Sequence, residues 1–102
     1  MENIKAKIII LSYLKFDKKD KNTGEVTPMT RIEYAFAEPQ DSKKFVGFTT
    51  ISGFYNGHEI FDRMSKGLLL RPLDAEFSIK EDYYDPNKLR RMLVKINGIS
   101  LL

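Results

Sequence analysis

The amino-acid sequence predicts a mainly β domain, a small five-stranded barrel with one short helix between strands 3 and 4. Three observations lead to this prediction. Five segments alternate apolar and polar residues with a period of two, which is typical of strands with one buried face. Polar segments that contain glycine, proline, asparagine or aspartate separate these strands. The segment that follows Asn56 has a helical period instead.

Length and composition favour a single domain over residues 1–102. The hydrophobic fraction of 42% permits one core. Seventeen basic and fourteen acidic residues give a net charge of +3, a mild excess that is compatible with a nucleic-acid partner. The absence of cysteine excludes disulfides, thiolate metal sites and cysteine catalysis. No apolar run is long enough to span a bilayer, so we expect a soluble, cytoplasmic protein with no membrane partner.

The first predicted strand, Ile4–Phe16, is long. Its alternation gives way to a continuous apolar run over Ile8–Leu11 and then resumes. A strand of this length usually bends and serves two sides of a sheet or barrel. The polar segment Asp17–Pro28 follows, with Gly24 suited to a positive φ. We interpret this segment either as a solvated hairpin loop or as an arm of lysines that binds phosphates.

The second and third predicted strands are Thr30–Glu38 and Lys43–Ile51, joined by a turn at residues 39–42. Gly47 lies in the middle of the third strand. A glycine there indicates a bulge or the close approach of another backbone.

The predicted helix runs roughly from Gly57 to Lys66. Asn56 has the position of an N-cap, and Glu59 follows at the position that completes a capping box. Gly67 suits the left-handed residue that ends many helices.

The last two predicted strands, Leu73–Glu81 and Lys88–Ile96, form a hairpin whose loop contains Tyr83 and Tyr84. The second of these strands is basic on one face and apolar on the other. The apolar segment Gly98–Leu102 is expected to dock in the core or in a contact between two subunits.

The sequence contains no catalytic signature. His58 is the only histidine, so no histidine pair is present for a zinc site or for acid–base catalysis. Its position near the helix start predicts a surface residue. The carboxylates of Glu81, Asp82 and Asp85 lack the spacing of a calcium loop, and the glycines are scattered. We therefore expect no enzyme activity, no metal or cofactor, and no small-molecule substrate.

Cations for phosphates and aromatic faces for bases are what binding to single-stranded nucleic acid requires. The alternation assigns Phe36, Phe45, Phe61 and Phe77 to the core. Five of the other aromatic residues and seven basic residues are candidates for contact with nucleic acid. They are Tyr13, Lys15, Arg31, Lys43, Lys44, Phe48, Tyr55, Tyr83, Tyr84, Arg90, Arg91 and Lys95. Each also has a purely structural interpretation, because strand faces need polar residues and tyrosines often border cores.

The order of three strands, one helix and two strands resembles the OB-fold. An SH3-like barrel is a nearer alternative than a ferredoxin-like fold, which needs a helix between its first two strands. The opening strand, the polar loop ending near Gly24 and the closing hairpin Leu73–Ile96 are similar to those of small phage- and plasmid-encoded single-stranded DNA-binding proteins of the OB type. The resemblance implies a non-sequence-specific protein that coats single-stranded DNA during replication or recombination of a mobile element. It also implies a homodimer.

Two hypotheses about function therefore stand. The first is binding of single-stranded DNA, with RNA as a related ligand. The second is a small protein-interaction module, such as a mobile-element protein that binds a host factor, because exposed tyrosine and arginine also form the centres of protein interfaces.

Overall fold

The computed structural model describes residues 3–81 and 89–101, with the backbone alone for residues 80, 81, 89 and 90. It is mainly β. The described part contains one α-helix, α1 (Glu59–Arg63), and a 3-10 turn at Lys66–Leu68. Its strands are β1 (Ile4–Lys19), β2 (Val26–Phe36), β3 (Gln40–Asp41), β4 (Val46–Gly47), β5 (Ile51–Asn56), β6 (Pro72–Glu81), β7 (Leu89–Ile96) and β8 (Ile99–Ser100).

Six of these strands form one antiparallel sheet in the order β5-β2-β1-β6-β7-β8, and β3 pairs with β4 in a separate small hairpin. In the described part of the chain β5 and β7 do not pair with each other, so the sheet is open. The predicted closed barrel is therefore wrong. The predicted strand number is also wrong, since the described part alone contains more than five strands.

The centre of the sheet is β1, which pairs with two neighbours along different parts of its length. Residues 4–9 pair with β6, and residues 8–19 pair with β2. The register with β2 shifts by one residue between Ile10 and Ser12, which marks a β-bulge. The bulge exchanges the two faces of the strand: Ile8 and Ile10 point into the core before it, and Tyr13 does so after it. The sequence predicted an irregularity at this apolar run.

The third predicted strand, Lys43–Ile51, does not exist as one element. Its first part belongs to the β3–β4 hairpin, whose turn is held by Ser42: the backbone N–H of Phe45 donates to the Ser42 side chain at 3.1 Å, and the Ser42 N–H donates to the Phe45 carbonyl at 2.9 Å. Gly47 closes the hairpin with a φ of 146°. The strand that joins the main sheet is β5, which begins only at Ile51.

The helix is shorter than predicted and follows the fifth strand instead of the third. Its N-cap is His58 and no side chain caps it, so the predicted capping box at Asn56 is wrong. Asn56 is instead the last residue of β5, because pairing with β2 continues to that point. Gly67 lies within the 3-10 turn and not at the end of α1. The described helices are too short and too polar to cross a membrane.

The core lies between the concave face of the sheet and α1. Ile60 and Met64 of the helix region are buried against it, and the predicted docking of the C-terminal segment is confirmed by the buried Leu101. Each fully buried aliphatic or aromatic side chain contributes about 1.5–3 kcal/mol. Further buried side chains include Ile8, Ile10, Ile32, Tyr34, Leu73, Phe77, Leu93 and Ile96.

Candidate nucleic-acid interface

The face of β1, β2 and β5 that points away from the core carries three apolar side chains and one basic side chain, of which Phe54 is exposed and the others are half-buried. The register places Leu14, Arg31 and Phe54 in one row across the three strands, and Phe16 begins the next row. These residues point away from the core because the bulge in β1 has exchanged its faces. We call Leu14, Phe16, Arg31 and Phe54 the aromatic face.

The two phenylalanine rings of the aromatic face touch each other. The centroids of Phe16 and Phe54 are 6.3 Å apart, with the ring planes at 85°. Phe54 is 54% exposed although it lies in the middle of a strand. The aromatic face therefore offers a base a ring surface that the fold itself leaves uncovered.

Arg31 lies between Leu14 and Phe54 and is half-buried. Its Nε is enclosed, and among the described residues it has no hydrogen-bond partner. No described carboxylate forms an ion pair with the Arg31 guanidinium, so its positive charge is uncompensated and can attract an anion to this face. Glu33 bounds the aromatic face on one side, where it accepts a hydrogen bond of 3.4 Å from Ser12.

The β1–β2 loop borders the opposite side of the aromatic face. Lys18, exposed on β1, and Asp20, at the start of the loop, help to line a cavity of about 240 Å³ there. The Asp20 carboxylate accepts backbone hydrogen bonds from Asn22 at 2.7 Å and from Thr23 at 3.2 Å, and these hydrogen bonds lower the pKa of Asp20. Gly24 has a φ of 73°, as the sequence predicted. The β1–β2 loop is therefore a hydrogen-bonded hairpin turn, and Lys18 lies beside it.

The β3–β4 hairpin is a second exposed region of mixed character. Lys43 and Lys44 are exposed in its turn, and three large apolar side chains accompany them: Phe45, Val46 and Phe48. Val46 is 72% exposed. The prediction that Phe45 belongs to the core is wrong, because the residues around it form this hairpin and not a strand of the main sheet.

Tyr13, Lys15 and Tyr55, which were predicted nucleic-acid contacts, lie on the concave side of the sheet. Tyr13 is half-buried and packs edge-to-face on Phe61 at 5.3 Å, and the Lys15 ammonium lies 5.1 Å from the centre of the same ring. Tyr55 is only 4% exposed, and its hydroxyl donates to the Leu93 carbonyl at 2.6 Å. The expectation that Tyr55 lies outside the core is wrong, because β5 continues through it and turns its ring inward.

Of the predicted contacts on the closing hairpin, Arg91 lies next to the aromatic face, because it lines the same cleft as Phe54. Lys95 is exposed and forms an ion pair with Glu76 at 3.6 Å. Arg91 is exposed at a cleft between β5 and β7. The predictions for Tyr83 and Tyr84, and for the side chain of Arg90, lie outside the described residues.

The strongest aromatic candidates are thus residues that the sequence prediction omitted. Phe16 and Phe54 were not named as contacts, and Lys18 was considered only within the segment Asp17–Pro28, as part of a solvated loop or of a phosphate-binding arm of lysines. The signal was present in residues 51–56, where Ile51, Gly53 and Tyr55 alternate with Ser52, Phe54 and Asn56. The glycine and the neighbouring helix signal made these residues look like a connection.

His58 has a structural role. Its Nε2 lies 3.1 Å from the Phe16 carbonyl oxygen and 3.2 Å from an Asp17 carboxylate oxygen, which joins the start of α1 to β1. No group of three or more histidine, aspartate or glutamate residues that could hold a metal ion occurs among the described residues.

Comparisons with known proteins identify no relative. No family model matches the chain, and neither the curated proteins nor the solved structures contain a match.

Proposed function

We propose that this protein binds single-stranded DNA without sequence preference and that the aromatic face is the centre of its binding surface. The observation that carries the proposal is the exposed ring of Phe54, which contacts the half-buried Phe16 and lies beside Arg31, for which the described residues provide no ion-pair partner. Stacking of a base on an aromatic ring contributes about 1–3 kcal/mol and tolerates any base, because every base has a π-face. Arg31 and Lys18 supply positive charge for the phosphates on either side.

The strand order supports an OB-like interpretation of the fold. The β3–β4 hairpin is not part of the main sheet, and when it is left out, β1, β2 and β5 precede the helix and β6, β7 and β8 follow it. The Tyr55–Leu93 hydrogen bond brings β5 towards β7, so the open sheet curls in the manner of an incomplete barrel. OB-folds bind oligonucleotides on the face of their second and third strands, and the corresponding strands here, β2 and β5, carry Arg31 and Phe54.

The test is a titration of fluorescein-labelled oligothymidine with the protein and with Phe54→Ala. Because Phe54 is exposed, its truncation should leave the fold unchanged and weaken binding by about 5- to 100-fold, as expected for the loss of one stacked base. Phe54→Trp should retain binding. Leu70→Ala is the matched control, because Leu70 is 71% exposed but lies in the connection before β6. Equal affinities for Phe54→Ala and Leu70→Ala would exclude the aromatic face as the binding site.

A protein-interaction module is the second candidate function, and the β3–β4 hairpin favours it. Phe45, Val46 and Phe48 are exposed close together on a short hairpin, which is an unusual concentration of apolar surface. A pull-down after nuclease treatment should then recover one stoichiometric protein. Val46→Asp should abolish its recovery while DNA binding persists. If Val46→Asp instead recovers the same protein in the same amount, the hairpin is not the contact.

A further inference from the structure

The edges of β5 and β7 face each other without pairing. Each pair of neighbours from β5 through β2, β1 and β6 to β7 is antiparallel, so β5 and β7 run in the same direction. On its outer edge β7 pairs with β8 only at Lys95 and Ile96. The free edge of a strand presents the N–H and C=O groups of alternate residues. Two such edges therefore border the same cleft.

A side chain, and not a backbone ladder, spans this cleft. The Tyr55 hydroxyl reaches the Leu93 carbonyl at 2.6 Å, and both residues are buried. Paired strands lie about 4.8 Å apart, which is less than the length of a tyrosine side chain. The bridge consequently holds β5 and β7 further apart than one strand spacing. On β7 the Leu93 carbonyl is occupied by this bridge, and the Val94 carbonyl accepts a hydrogen bond from the Leu101 N–H at 2.9 Å. The backbone groups considered for binding are therefore those on the free edge of β5.

The cleft has a volume of about 200 Å³ and a defined chemistry. Tyr34, Ile51 and Leu93 give it an apolar floor, while Ser52 and Gly53 contribute the β5 edge. Gly53 carries no side chain that could cover this edge.

Among the described residues that line the cleft, Arg91 supplies the only cation. It is exposed, and no described acidic side chain forms an ion pair with it. The site therefore combines hydrogen-bonding backbone, an apolar floor and one positive charge.

We propose that the cleft binds an extended acidic peptide from a partner protein, which adds as a strand to the edge of β5. Backbone hydrogen bonds would hold the peptide, its inward side chains would contact the apolar floor, and an acidic side chain would pair with Arg91. Single-stranded DNA fits the site less well, because a strand edge offers a regular ladder that matches a peptide backbone. Phe54 lines this cleft and also belongs to the aromatic face, so a peptide and DNA would compete there, but binding of the peptide does not require binding of DNA.

The experiment uses a fluorescent hexapeptide of alternating valine and aspartate, matched to the six residues of β5. We expect saturable binding together with slower amide hydrogen exchange at residues 51–56. The control peptide has the same sequence with alternate backbone nitrogens methylated, which removes the donors of one edge. It should bind at least 10-fold more weakly. Equal binding of the methylated peptide would overturn the proposal.

A charge exchange tests the role of Arg91. Arg91→Glu should bind the aspartate peptide at least 10-fold more weakly and should bind a peptide of alternating valine and lysine more tightly than the unchanged protein does. Because Arg91 is exposed, the variant should fold normally, which circular dichroism verifies. An unchanged peptide preference would overturn the proposal. So would displacement of the peptide from Phe54→Ala by oligothymidine with protection of the same amides, since nucleic acid would then occupy the cleft without the aromatic face.

Discussion

Tyr55 shows how one residue joins two strands that do not otherwise pair. Burial raises the pKa of Tyr55 well above its usual value of 10.0, and burial also raises the pKa of Tyr34. Below pH 10 both tyrosines are protonated in the folded and unfolded states. Above pH 10 the unfolded chain loses these protons first, so the free energy of unfolding must fall as the pH rises towards the folded-state pKa.

Tyr55→Phe should therefore have two opposite effects. At pH 7 it removes the hydrogen bond to the Leu93 carbonyl and lowers the free energy of unfolding by about 1–3 kcal/mol. Between pH 9 and pH 11 its stability should fall less steeply than that of the unchanged protein, because the buried titrating hydroxyl is gone. Urea unfolding followed by circular dichroism at pH 7, 9, 10 and 11 measures both effects. Parallel stability curves for the two proteins would contradict this explanation.

Phe54 and Tyr55 also show what the sequence can determine about single residues. Adjacent residues in a strand point to opposite faces, so one of the two had to be buried once residues 51–56 were recognised as a strand. Because these residues were not recognised as a strand, Tyr55 was assigned to the surface, and Phe54 was assigned neither to the core nor to the surface. Arg31 was identified correctly as a residue outside the core, because the alternation in β2 is regular on both sides of it.

Gly53 is the residue that makes β5 compatible with the Tyr55 bridge. A Cβ at position 53 would lie 3.0 Å from the Tyr55 ring. Gly53→Ala should therefore displace the ring, weaken the hydrogen bond to Leu93 and lower the free energy of unfolding by about 1–3 kcal/mol. Gly67→Ala is the matched control, since its Cβ would meet only the Ser65 hydroxyl at 3.8 Å. Urea midpoints of the two variants provide the comparison, and equal midpoints would exclude a steric role for Gly53.

At the level of elements, the sequence predicted the long strands, because each of them shows a long, regular alternation of apolar and polar residues. The closing hairpin was predicted almost to its ends, and so was the long first strand. The elements between residues 39 and 68 were not predicted correctly. They are short, and they are fixed by side-chain contacts that cannot be recognised from the alternation of apolar and polar residues. The Ser42 side chain stabilises a turn inside an apparent strand, and His58 connects the helix start to β1 through Phe16.

For the whole molecule, a mainly β domain follows from the alternation, whereas barrel closure does not. Closure depends on whether β5 and β7 approach to one strand spacing, and residues 38 positions apart in sequence, such as Tyr55 and Leu93, decide this. Local periodicity contains no information about such a distance. For the same reason the predicted contact residues lie on different faces of the molecule. The sequence identifies basic and aromatic residues, but it does not show which of them share one face of the sheet.

The salt dependence of DNA binding tests whether the aromatic face and the β3–β4 hairpin form one path. On a single strand, each neutralised phosphate contributes about −0.7 to the slope of log K against log salt. Four phosphate contacts would therefore give a slope of about −2.8, and the four cations that would make them are Lys18, Arg31, Lys43 and Lys44. The double variant Lys43→Gln/Lys44→Gln should reduce the slope to about −1.4 if the strand continues from β5 onto the hairpin.

The control for this measurement removes the same charge elsewhere. Lys7 and Lys95 form ion pairs with Asp74 at 2.7 Å and with Glu76 at 3.6 Å, so their cations are already compensated. Lys7→Gln/Lys95→Gln should leave the slope nearly unchanged, because few counterions are released from charges that have protein partners. A slope near zero for the unchanged protein would reject DNA binding altogether. If the hairpin variant keeps the full slope, DNA does not reach the hairpin, and its exposed Phe45, Val46 and Phe48 are then free to contact a protein partner.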